Sequence, residues 1–200
     1  MRIFLRYCFA FVGGFLAMSA HIYLLYGRGG WFLPQRLSAT IGNALIFAHI
    51  IAFIVIIVRD NPLKQPIVKF LLGLIIGTVL GAIAWYAHVF LYLYQTNPDV
   101  ITLFLGGFGL SIGFAMSGIL KVRNHWLNFS ISTLITIFSI YLPILLSYQA
   151  YIADSSAQAL LYFQADNPND IFLIGLPFSI TIAVFSHLPL LFSSSPHAKT

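Results

Sequence analysis

Four histidines and one row of hydroxyls are the residues of this chain with chemistry to offer. His21, His49, His88 and His187 all fall inside long apolar stretches. An ionisable side chain at membrane depth is costly in lipid and normally turns into the protein interior. His21 lies four residues after Ala17 and seven after Gly14, and His88 lies seven after Gly81, so each extends a face of small residues. Two imidazoles level with each other across such faces suit a haem b iron, because imidazole ligates iron and glycine leaves room for a macrocycle. His21 and His88 are therefore the candidate cofactor ligands, and haem b is the candidate cofactor. The competing reading is neutral imidazole hydrogen-bonded between helices, with a pH-sensing role as a third. His187 continues the face of Ser179 and Ala183 and fits either.

The hydroxyls lie further on. Asn128, Ser132, Thr136, Ser139, Pro143 and Ser147 follow one another at three- and four-residue spacings, which puts them near one face of a helix. Such a face either bonds neighbouring helices and compensates the carbonyl freed by Pro143, or lines a polar path for a solute. Asn128, Ser132, Thr136 and Ser139 are the candidate path.

Catalysis finds less support. Ala115-Met116-Ser117-Gly118 together with His187 resembles, in part, the serine–histidine pair of rhomboid intramembrane proteases, whose six helices and cytoplasmic termini would also match. The resemblance implies a Ser117–His187 dyad. The sequence departs from the family where its first motif glycine is alanine and where the glycine-rich face of the sixth helix is missing, so membership is not inferred. Gly109-Leu110-Ser111-Ile112-Gly113 has the letters of a nucleophile elbow without its strand-turn-helix setting. The chain has no glutamate, and none of its five acidic residues lies within an apolar stretch. Carboxylate-driven ion coupling and paired-carboxylate hydrolysis therefore lack their usual residue. No metal site is indicated: there is one cysteine, Cys8, and no His-Glu-x-x-His.

These residues need elements to hold them. Only 8% of the residues are charged and 60% are hydrophobic, a composition that cannot cover a water-soluble surface. A helix needs about 20 apolar residues to cross the hydrocarbon core. Six stretches have that length: 7–26, 38–58, 70–94, 100–120, 127–147 and 171–192. The expected fold is all-α, a polytopic six-helix membrane bundle forming a single domain over 1–200. Asn61-Pro62, Asn97-Pro98 and Asn167-Pro168 punctuate it, since proline disfavours helix in the residue before it. Arg2 and Arg6 ahead of an apolar run admit a signal peptide, but the run is longer than a signal core and is read as a retained span.

With the amino terminus inside, Arg2, Arg6, Arg59, Lys64, Lys69, Lys121, Arg123 and Lys199 face the cytoplasm, against Arg28 and Arg36 outside. Eight against two is a positive-inside bias, so both termini are expected in the cytoplasm. The net charge of +5 is spread over short loops at the lipid surface and gives no reason to expect nucleic acid. Residues 148–170 are expected to form an outer loop, with a short helix capped by Asp154 or Ser155 and carrying Leu160, Leu161, Tyr162 and Phe163.

Lipid supplies no hydrophobic force between helices, so close approach depends on small residues. Gly73, Gly77 and Gly81 recur at fours in the third stretch, and Gly109, Gly113 and Ser117 in the fourth. These two stretches are expected to form a tight hairpin or to meet another chain. The function expected from all this is an accessory or scaffold subunit of a membrane assembly, packed against other chains or copies of itself in a bacterial inner membrane. The alternative is a small transport module for a neutral or apolar solute.

Overall fold

A computed structural model of the chain describes residues 2–26, 34–93, 100–120, 122–153 and 168–192. Six α-helices lie among the described residues: α1 (Arg2–Tyr26), α2 (Pro34–Ile54), α3 (Pro66–Leu93), α4 (Val100–Ile119), α5 (His125–Ala153) and α6 (Pro168–His187). α2 runs on into a π-helical turn, Val55–Arg59, and α6 ends in a 3-10 turn, Leu188–Leu190. No strand occurs among the described residues. Local chemistry explains several boundaries. α2, α3 and α6 each begin on proline, whose missing N–H costs nothing in the first turn. Asn124 caps α5, its Oδ1 accepting from the backbone N–H groups of Trp126 (3.0 Å) and Leu127 (3.2 Å). Asn61 turns the chain between α2 and α3 by accepting the Leu63 N–H at 2.8 Å, and Lys69 Nζ donates to its carbonyl at 2.7 Å.

The helices extend beyond the apolar stretches. Residues 148–153, expected as loop, continue α5, and 168–170 begin α6. The end of an apolar run does not end a helix, because backbone hydrogen bonding does not depend on apolar side chains. The short capped helix expected at 154–167, Arg28, Lys121 and Lys199 lie outside the described residues.

Each helix packs on its neighbours in sequence, and α6 returns to pack on α1, so the six close into a ring. Phe47 of α2, Trp85 of α3 and Phe178 of α6 fill the centre at one level, with ring centroids 5.7–6.0 Å apart. The exterior is apolar, unlike that of a water-soluble domain, and the apolar core also takes in polar side chains. Leu16, Phe53, Ile75, Ile83, Phe138 and Leu142 face outward, while Ser111, Ser132, Thr136, Ser179, Ser186 and His187 are buried. Four helical segments, Ile3–Leu24, Thr40–Arg59, Pro66–Ala87 and His125–Leu145, are long and apolar enough to cross a membrane. The apolar segments of α4 (Gly106–Ile119) and α6 (Gly175–Leu190) are shorter.

The glycines of α3 and α4 face each other or their immediate neighbours. A Cβ on Gly77 would lie 2.4 Å from Ser111 Cβ, and one on Gly81 would lie 2.5 Å from Gly107 Cα. Gly73 lies against Val58 and Ala115. A hydrogen bond between Thr78 Oγ1 and Ser111 Oγ, 3.1 Å long, joins the same two helices. On its other flank α4 meets α5: Gly113 lies against Thr136, and Gly109 against Pro143 and the Ser139 carbonyl, which loses its helix donor to that proline.

Candidate functional site: a buried polar cluster at the basic end

One end of the ring gathers the start of α1, the π turn of α2, the start of α3, the end of α4 and the end of α6. It carries Arg6, Arg59, Lys64, Lys69 and Arg123. Within it Arg59 is 5% exposed. An arginine at the end of a membrane helix ordinarily reaches outward to headgroups or water. This one is enclosed: Gly118 of α4 packs on its backbone, where a Cβ would sit 2.7 Å from the Arg59 carbonyl oxygen. Its Nε and Nη1 are buried and have no hydrogen-bond partner among the described residues. The next residue, Asp60, is held by Arg6 of α1 in an ion pair.

His187, fully buried on α6, packs at 5.7 Å on the ring of Phe114 of α4, one turn from the Gly118 that packs on Arg59. Its Nε2 shares a 2.8 Å hydrogen bond with Thr136 Oγ1 of α5. Its Nδ1 has no hydrogen-bond partner among the described residues, and the same holds for the buried hydroxyls of Ser132, Thr133 and Ser186. Two helices, α5 and α6, thus bring polar atoms inward, and α4 packs on both them and the turn that carries the Arg59 guanidinium. Buried polar groups are nearly always hydrogen-bonded, so a concentration of unsatisfied ones marks where a solute or water belongs.

The Thr136–His187 bond has a testable asymmetry. Thr136→Val leaves both imidazole nitrogens buried without partners and is expected to cost about 2 kcal/mol. His187→Leu is expected to cost less, because the threonine hydroxyl can turn to a carbonyl of its own helix. Thermal unfolding of both variants in mild detergent checks the order; equal or reversed losses would remove this bond from the account.

The other candidates from sequence are distributed as follows. Of the proposed path, Ser132 and Thr136 are buried, Ser139 is half-buried with its Oγ donating to the Ile135 carbonyl at 2.7 Å, and Asn128 is half-buried near the start of α5. His21 is buried against Phe178 and Trp85, with ring centroids at 5.2 and 6.5 Å. His88 belongs to α3, but its side chain lies outside the described residues. Ser117 and His187 are engaged separately, Ser117 Oγ donating to the Phe114 carbonyl at 2.9 Å while His187 bonds Thr136.

His49 corrects an expectation, for it is exposed on the outer face of α2. The inward side of that helix is taken by Ala44, Phe47, Ala48 and Ile51, and the residue following Ala48 turns away. Its Nδ1 is satisfied by the Tyr7 hydroxyl, and Phe11 packs on its ring at 4.8 Å. Compared with protein-family models, curated proteins and solved structures, the chain has no significant match.

The residue that sequence reasoning missed is Arg59, which had been counted among the surface charges of an inner loop. A signal for it exists. Ala44, Ala48 and Ala52 recur at fours, and Val55 and Arg59 continue the same face at three and four. An arginine extending a small-residue face is in phase with the interior.

Proposed function

We propose that this chain crosses a bacterial inner membrane six times with both termini in the cytoplasm, and acts as a small transport module. In this reading it admits a small polar solute from the cytoplasmic side into the interior of the ring, among α2, α4, α5 and α6. The observation that carries it is the set of buried donors and acceptors without partners beneath an apolar exterior: Arg59, Ser132, Thr133, Ser186 and Nδ1 of His187. The gathering of Arg6, Arg59, Lys64, Lys69 and Arg123 at one end supports a cytoplasmic location for that end. A scaffold role drew its support from glycine faces offered to another chain. Since Gly77 and Gly81 lie against α4 of the same chain, that support is weaker. A polar solute replaces the neutral or apolar one expected from sequence, because a guanidinium in the interior favours polar cargo.

The test uses the chain's single cysteine to advantage. In a Cys8→Ser background, Ser132→Cys is expected to react with a membrane-impermeant thiol reagent in everted vesicles and not in right-side-out ones. Phe138→Cys, at a position 67% exposed on the outward face, is expected to stay unlabelled in both. No labelling of Ser132→Cys from either side would end the reading; labelling from the opposite side alone would invert the topology.

A further inference from the structure

Charge at the basic end does not balance. Two guanidiniums, Arg6 and Arg59, meet a single carboxylate, Asp60, and that carboxylate is engaged by Arg6. No other acid lies at this end among the described residues. A charge withdrawn from water costs several kcal/mol unless it is compensated, and Arg59 is withdrawn almost completely, with Nε and Nη1 unsatisfied. The groups nearby add donors more readily than negative charge. Ser186 precedes His187 on α6, Ser132 stands one turn before Thr136 on α5, and their buried hydroxyls have no partners among the described residues. One buried acceptor, Asp60 Oδ2, is also unpartnered, but it belongs to the carboxylate already neutralised by Arg6.

We infer that Arg59 is the anchor of an anion site, and that the ligand is a singly charged oxyanion held by the Arg59 guanidinium with hydroxyl donors of α5 and α6. This rests on the reading of the interior as a solute site and names the class of solute. A single negative charge balances the Arg6–Asp60–Arg59 group, while buried Lys69 nearby is held by the Asn61 carbonyl; a guanidinium suits an oxyanion because its N–H groups give charge-assisted hydrogen bonds. Two sources carry this chemistry at a membrane face: the phosphodiester of an acidic lipid, and a free monoanion such as dihydrogen phosphate or acetate.

The experiment is thermal unfolding of the delipidated full-length protein in an uncharged detergent, at fixed ionic strength set with chloride. Inorganic phosphate, acetate and phosphatidylglycerol are titrated separately, with phosphatidylcholine as the uncharged-lipid control. One of the three anions is expected to raise the midpoint saturably, by about 5–10 °C at roughly a hundredfold excess over Kd. A response to phosphate or acetate identifies a free solute; a response to phosphatidylglycerol alone identifies a lipid headgroup. Arg59→Met is expected to lose the response and, without ligand, to unfold no lower than the parent, because an apolar side chain then replaces an uncompensated charge. Arg59→Lys keeps the charge but loses the fork, and should need on the order of tenfold more ligand. The inference is overturned if no anion stabilises the parent, if Arg59→Met responds equally, or if ligand-free Arg59→Met is markedly less stable or does not fold. Any of these can occur while Ser132→Cys still reacts from the cytoplasmic side, so the anion site and the solute path fail separately.

Discussion

Gly107→Leu should sharply reduce the folded protein that can be purified. A Cβ at this position would lie 2.2 Å from the Thr78 carbonyl oxygen and 2.7 Å from the Ala82 nitrogen, both backbone atoms of α3. No rotamer change relieves a clash with backbone, so α3 and α4 would have to separate along their length. The expected loss is about 3 kcal/mol or more, the upper range for overpacked positions. It falls on the contact that also holds Gly77 against Ser111 and the Thr78–Ser111 hydrogen bond. Gly42→Leu is the matched control, because a Cβ there meets nothing within 4 Å. The monodisperse fraction on size-exclusion chromatography in mild detergent is the readout. Equal recovery of the two variants would show that the hairpin is not held by its glycines.

Asp60→Asn is expected to have the next largest effect. The Arg6–Asp60 pair has side chains only 23% and 15% exposed, which separates it from surface pairs that contribute almost nothing. Removing the carboxylate leaves two guanidiniums together at one end of the ring with no acid among the described residues to offset them. A loss on the order of 3 kcal/mol follows from stranding partly buried charge. Asp60→Asn combined with Arg6→Met should recover much of it, because the second substitution removes one of the stranded charges. A double variant as unstable as Asp60→Asn alone would mean that Asp60 acts through something other than charge, such as the geometry of the turn into α3.

Much of the architecture was legible because membrane packing is written in side-chain size. Glycine at intervals of four in α3 says that something approaches closely, and the interval says on which side. What distance in sequence does not provide is depth within the interior. Arg59 was read by its position at the end of an apolar stretch, where arginines usually meet water, although its phase with Ala44, Ala48 and Ala52 pointed inward. His49 was misread in the opposite sense: its central depth suggested the interior, while its phase, one residue past Ala48, put it outside. In both cases helical phase was the better guide than depth. The π turn at Val55–Arg59 left no mark that propensity or pattern could detect, since Val55–Val58 are as apolar as the residues before them. The far end of α5 was missed for a different reason. Tyr148, Gln149 and Tyr151 end the apolar run but do nothing to end a helix.

The closed ring also says something about how the molecule is made. Because each helix leans on the one translated just before it, five of the six contacts can form in the order of synthesis, each newly emerged segment docking on a neighbour already in place. The sixth cannot. The flank of α1 that carries Gly13, where Thr181 and Phe185 of α6 will lie, must wait uncovered until α6 itself has left the ribosome. Of the six, the helix made first is thus the last to be finished, and a chain stopped short of α6 would be left with that seam open.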